Sequence, residues 1–232
     1  MRHSLPRTGH IRFHSCIFNK TASFKNRVFG DSTSFRRSVF KVAPFFHNSE
    51  LHQGTEFLKE QFTDIKTDEA EKAYSTLKLA MNKHHAHAEE MMFFGLEMQA
   101  RRYKTKWPSK ALYLIYEACS DYGQSIARPA VMLLGTFCFF LIWYWMILFN
   151  GRLDEVVTPT GAERIGKLYV FTLEHTAPFL LPVLKTADRF PTLDGSDPSA
   201  WTSTLIAGHT TIAIVLFFFL LLGIRNRFRL KG

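Results

Sequence analysis

The sequence predicts a mixed fold in three parts: a repeat-built front (residues 1–66), a long helix with a juxtamembrane elbow (67–128), and a two-helix transmembrane hairpin (129–232) with a re-entrant helix at 168–184 and a basic tail. Three observations predict it. A run of 20 apolar residues from Ala130 to Phe149 and a second run from Thr202 to Ile224 contain no Asp, Glu, Lys or Arg. At about 1.5 Å per helical residue, either run covers the ~30 Å hydrocarbon layer of a bilayer. Ahead of them, large apolar residues recur every eleven positions up to Phe62, and the stretch from Glu69 to Tyr103 contains no proline.

The totals bound the class. The chain has 232 residues and a net charge of +9, and its mean hydropathy of −0.05 averages a polar first half with an apolar second half. The charge is placed unevenly. Arg101, Arg102, Lys104, Lys106, Lys110 and Arg128 precede the first apolar run, and Arg225, Arg227, Arg229 and Lys231 follow the second. By the positive-inside rule both flanks lie in the cytoplasm and the 150–200 connection lies outside. Anionic lipid headgroups at Arg101, Arg102, Lys104, Arg225, Arg227 and Arg229 account for the basic excess without nucleic acid. Cys16, Cys119 and Cys138 are far apart, odd in number and without a CxxC pair, so free thiols are expected.

In the front part Phe13, Phe24, Phe35, Phe46 and Phe57 are spaced by eleven, as are Phe18, Phe29, Phe40, Leu51 and Phe62. One large apolar residue every five or six positions is a repeat signature, because an amphipathic helix needs one every three or four. The stretch ASFKNRVFGDSTSFRRSVF resembles the pentapeptide-repeat family. The resemblance implies a short right-handed β-helix in which those ten residues form the internal stack, with the extra residue of alternate steps at a corner bulge. It also implies use as a binding surface. Residues 12–66 carry nine Lys or Arg against five Asp or Glu, which argues against the acidic DNA mimicry of some family members.

Asp68 followed by Glu71 reads as a helix N-cap with its box partner. Ala70, Tyr74, Leu77, Met81, Ala88, Met91, Phe94 and Met98 then fall at three- and four-residue steps, as one long amphipathic helix requires. Within it, His84, His87 and Glu90 are spaced by three and drift round one side, so they are the candidate metal ligands, set against a solvated polar face. Glu97 and Arg101, four apart, predict a surface ion pair.

From Phe94 the order of a Phe, a Glu, an Arg pair, a Trp and then SDYGQSIARP running into the first span is similar to bacterial membrane proteins with N-terminal pentapeptide repeats. That similarity implies an architecture and a bacterial inner-membrane location, with no activity attached. From the residues themselves, Pro108 starts a helix, Leu112, Ile115, Tyr116 and Cys119 give it an apolar side, Gly123 offers a bend, and Pro129 opens the span. The elbow is expected on the inner leaflet.

Between the spans, LYVFTLEHTAPFLLPVL from Leu168 to Leu184 has Glu174 and His175 at its centre and prolines at 178 and 182. A short helix that dips in and turns back at Ala177–Pro178 suits it better than a third span. Span, dipping helix and span is also the layout of tetrameric cation-channel pores. In that reading Thr172, Glu174, His175 and Thr176 line a mouth, and His209 of the second span faces the bundle interior. The alternative is that these side chains bond neighbouring backbone and cross the hairpin for packing.

No glycine-rich phosphate loop, GxSxG or HExxH occurs, and no cofactor is expected. The leading expectation is therefore a non-enzymatic membrane protein. It presents a cytoplasmic repeat surface to an unidentified protein, with the hairpin as anchor and homo-oligomer interface. The rival expectation is an oligomeric ion channel.

Overall fold

A computed structural model describes residues 7–8, 11–31, 33–35, 37–58, 61–149, 159–178 and 199–229. Among them are four two-residue strands, β1 (Arg7–Thr8), β2 (Ile17–Phe18), β3 (Val28–Phe29) and β4 (Val39–Phe40). Six helices follow: α1 (Ala70–Lys83), α2 (His87–Lys104), α3 (Ser109–Ser120), α4 (Ala127–Phe149), α5 (Pro159–Thr176) and α6 (Ala200–Arg229). The chain divides into two units, one running to Gln124 and taking in the helix end from Arg227, the other Ser125–Asn226.

The β-helix implied by the resemblance is not present, and most of the described residues are helical. What forms is β1 paired with β3 and β2 with β4, both parallel, with isolated bridges such as Ser23 to Phe45 and Phe40 to Phe62. Each pairing joins positions about two repeats apart, so few layers fit into this stretch. Among the described residues no ladder grows beyond two residues, far short of an ordinary strand.

The eleven-residue period instead shows in two other ways. Ser15, Asn26, Arg37 and Asn48 all take left-handed φ values between 54° and 58°, one per unit. The phenylalanines pack on one another. Phe29, Phe35, Phe40, Phe46, Leu51, Phe57 and Phe62 are buried, and Phe13, Phe18 and Phe24 pack against them partly covered. Residues 22 apart stack face to face: Phe13 on Phe35 at 5.1 Å, Phe18 on Phe40 at 4.6 Å, Phe35 on Phe57 at 5.4 Å. Along the first repeats successive rings meet edge to face (Phe13 with Phe18, Phe18 with Phe24, Phe24 with Phe29), the arrangement the ring quadrupole favours.

This core continues into the helices. Phe57 and Phe62 meet Phe93 edge on, and Phe62 also meets Tyr74. Asp64 fixes the join. Its Oδ2 accepts from Ala43 N–H (2.9 Å) and from Thr67 Oγ1 (2.6 Å), its Oδ1 accepts from the N–H groups of Lys66 and Thr67, and its carbonyl accepts from Tyr74 Oη. Burial pushes this carboxyl up, but the four hydrogen bonds outweigh it and hold the group below the ordinary aspartate range. Asp64 therefore organises the approach to α1. The expected box of Asp68 and Glu71 does not form, since the cap position is Glu69 without a side-chain cap, and Glu71 instead meets Arg101 at 2.9 Å.

The single long helix of the sequence reading is two helices packed together. α1 closes on a Schellman pattern: Ala86 N–H donates to Met81 C=O and His85 N–H to Asn82 C=O, with His85 at φ 58°. Histidine stands where glycine is usual, which is why the break left no sequence signal. The break also resets the helical phase. Ala70, Tyr74, Leu77 and Met81 are buried as the periodicity requires, but in α2 the buried residues are Met92, Phe93, Gly95, Leu96, Glu97, Met98 and Ala100, while Ala88 is exposed.

α3 ends where Asp121, Tyr122 and Gly123 take successive positive φ values of 49°, 55° and 81°. In the second unit, α4 and α6 are the two helices long and apolar enough to cross a membrane. α4 begins two residues before Pro129 rather than at it, and α5 begins at Pro159, well ahead of the expected Leu168. α5 stops at Thr176, and the stretch from 179 to 184, on which the turning back of a re-entrant segment depends, lies outside the described residues.

Candidate functional site

The densest polar grouping of the second unit is built from three helices. α4 contributes Tyr144, α5 contributes Thr172, His175 and Thr176, and α6 contributes His209. Tyr144, Thr172, Thr176 and His209 are all buried. The His209 ring lies flat on Phe140, with centroids 4.1 Å apart, and Phe171 and Leu168 complete the apolar surroundings from α5.

Donor and acceptor accounting assigns one tautomer to this ring. Thr176 Oγ1 donates its one proton to Thr172 C=O at 2.8 Å. Its oxygen is then left to accept from His209 Nε2–H at 3.0 Å. His209 Nδ1 in turn accepts from Tyr144 Oη at 3.2 Å. Thr172 Oγ1 donates to Leu168 C=O, so the series ends on α5 backbone. His175 stands apart from it, with Nδ1 bonded to its own Phe171 C=O and its ring centroid 6.3 Å from that of His209. Glu174 is half-buried on the same helix. Within one chain Thr172, Thr176 and His209 therefore bond one another and local backbone, while Glu174 and His175 are partly open. Chemically, the cluster can hold three helices in register.

In the first unit the proposed metal triad does not assemble. His84 caps α1 while His87 and Glu90 begin α2, and Glu90 is held by Asn82 Nδ2 at 2.8 Å and His87 Nδ1 at 3.1 Å. Among the described residues no group of three His, Cys, Asp or Glu side chains is placed to hold a metal ion. Cys16, Cys119 and Cys138 are free thiols.

The basic side chains expected at headgroups are engaged elsewhere in part. Arg101 pairs with Glu71 and, at 3.2 Å, with Glu97, Arg102 pairs with Glu117, and Lys104 reaches Asp68 C=O. The Glu97–Arg101 pair is not a surface pair, because the Glu97 carboxylate is buried and also takes Lys78 at 2.6 Å. Arg225 and Arg227 are exposed on α6, and the Arg229 side chain lies outside the described set.

Sequence reasoning missed Tyr144 and Asp64. A tyrosine within an aromatic run such as FLIWYW carries no signal of its own until a partner helix places a histidine against it. Comparison with protein-family profiles, with curated proteins and with solved structures returns no match for this chain.

Proposed function

We propose that this is a non-enzymatic integral membrane protein that holds its basic first unit at the cytoplasmic face of a bacterial inner membrane and presents it to a partner protein. One observation carries the reading. Only 17% of the most apolar stretch of either α4 or α6 is buried within the chain, although both are long enough to span. Val131, Leu134, Phe139, Ile142 and Met146 on α4, with Phe218 and Leu221 on α6, are open apolar side chains. Contiguous surface of this kind is unstable in water and is covered by lipid or by a second copy. The basic residues before α4 and at the end of α6 favour both flanks inside. The similarity of the 94–129 stretch to bacterial membrane proteins supports the choice of membrane. Anchoring is preferred to conduction because three of the five pore candidates are used up within the chain.

The test is made in intact cells with the full chain. A cysteine at Lys20 should resist a membrane-impermeant maleimide until the cells are opened, and photo-crosslinkers at the exposed residues Lys20 and Lys41 should capture one common protein. External labelling, or capture of nothing, refutes the reading. Ion flux through vesicles that changes with Glu174→Ala or His175→Ala would replace it with the pore.

A further inference from the structure

Helix α3 is inside out for a helix in water. An amphipathic helix on a soluble unit turns its apolar stripe to the core and its polar stripe to solvent. Here the polar side is turned in. Glu117 takes Arg102 and the Gln99 amide (3.1 Å) of α2, Ser120 is buried, and Tyr113 and Tyr116 are half covered, with Tyr116 edge on to the buried Tyr122 at 5.4 Å. The aliphatic side faces out. Leu112 is 70% exposed, Ile115 50%, and Trp107 just before the helix 74%. Leu114, 42% exposed, and Ala118 are open as well, so at about 100° per residue the open face runs from Leu114 through Ala118 and Ile115 to Leu112 at its edge.

We propose that this face of α3 docks on the surface of an anionic phospholipid bilayer. Two further observations select that occupant. Between Thr105 and Ser120 the chain carries Lys106 and Lys110 against a single acid, Glu117, and that acid is already paired inward, as Lys104 is to Asp68 C=O. Exposed aliphatics and a tryptophan rimmed by lysines are the composition of a helix lying in the interface between headgroups and acyl chains. Six residues then separate Ser120 from Ala127, the start of α4. That length of chain reaches at most about 25 Å, so α3 stays within reach of the bilayer that α4 enters. The inference rests on the reading of α4 as a span. It adds a second, lipid-sensitive attachment that orients the first unit on the membrane.

The experiment uses the full chain in vesicles of phosphatidylcholine with phosphatidylglycerol. The native cysteines are replaced by serine, and a polarity-sensitive fluorophore is placed at Ile115→Cys, at Leu112→Cys, or at the exposed Lys83→Cys as control. A lipid carrying a quencher just below the headgroup should remove roughly half the emission at 115 and 112 and none at 83. The effect should weaken in pure phosphatidylcholine and in high salt. A separate variant that keeps Cys138, exposed on α4, and replaces Cys16 and Cys119 by serine is labelled there and read with a quencher deep in the acyl chains, to report on the hairpin. Quenching at 138 with 115 and 112 open to aqueous iodide overturns the docking and leaves the span intact. Shielding of 115 from both lipid and iodide assigns the face to a protein or a second copy and also overturns it. Absence of lipid quenching at 138 removes the span reading, and this inference with it.

Discussion

Replacing Asp64 by Asn should weaken the first unit by about 2–4 kcal/mol at neutral pH, and the deficit should fade in acid. The magnitude follows from its partners. The side chain is 7% exposed and accepts four hydrogen bonds, three of them from backbone N–H groups of Ala43, Lys66 and Thr67. Hydrogen bonds to a charged acceptor contribute about 1.5–3 kcal/mol where neutral ones contribute 0.5–1.5. An asparagine oxygen can keep the pair at Lys66 and Thr67, but its NH2 then confronts Ala43 N–H and orphans a buried donor, which costs about 1–3 kcal/mol more. Against a total of about 5–15 kcal/mol this is a large fraction.

The pH dependence follows from the same contacts. The folded carboxyl titrates below its ordinary value, so its contribution is fully present above the unfolded pKa and is lost as pH falls through the folded one. The gap between wild type and Asp64→Asn should be flat above about pH 5 and narrow below about pH 4. Urea titration of the full chain in a non-ionic detergent, read by hydrogen exchange over residues 40–67, measures it. Equal stabilities at pH 7, or a gap that widens on acidification, would refute the account of Asp64 as the join between the phenylalanine stack and α1.

Three further outcomes are expected. Arg37 holds φ 58°, a left-handed conformation that bulky side chains disfavour and that asparagine occupies at the equivalent corners 26 and 48. Arg37→Asn should therefore stabilise the first unit by about 0.5–1 kcal/mol, and a lower urea midpoint for the variant counts against the left-handed corner. In the hairpin, nitrogen-resolved NMR of the full chain in lipid discs should show the His209 proton on Nε2, and Thr176→Val should lower the free energy of unfolding from detergent by about 0.6–1.7 kcal/mol. A proton found on Nδ1 would reverse the assigned direction of the bonds among Tyr144, His209 and Thr176.

The two membrane-length apolar helices were legible because bilayer thickness sets a length and composition that the runs at 130–149 and 202–224 meet with no partner in view. The eleven-residue period was legible for a related reason: a residue that must face inward once per unit leaves its mark at a fixed interval, as the phenylalanines did. What the period could not convey was how far pairing would extend. That depends on how many layers the chain stacks, and here two-residue pairings do not build a β-helix. The break at 84–86 was hidden because a histidine took the left-handed position that glycine usually marks.

Side chains whose role depends on a distant partner lay beyond reach of the sequence. Asp64 has its meaning from Ala43 and Tyr74, Tyr144 from His209, and α3 from the face that α2 covers. The elbow was expected to lay a side of Leu112, Ile115, Tyr116 and Cys119 on the membrane; Leu112 and Ile115 are open, whereas Tyr116 is turned in against Tyr122 and Cys119 is half-buried. Periodicity determines that a helix has two faces, whereas the tertiary structure decides which one meets the protein. By itself, then, the sequence determined the membrane-length helices, the repeat interval and the charge asymmetry, all of which are local or additive. The tertiary structure decided the break between α1 and α2, the bonding within the hairpin and the inverted face of α3. Each of these depends on which residues, remote in sequence, are brought within hydrogen-bonding or packing distance.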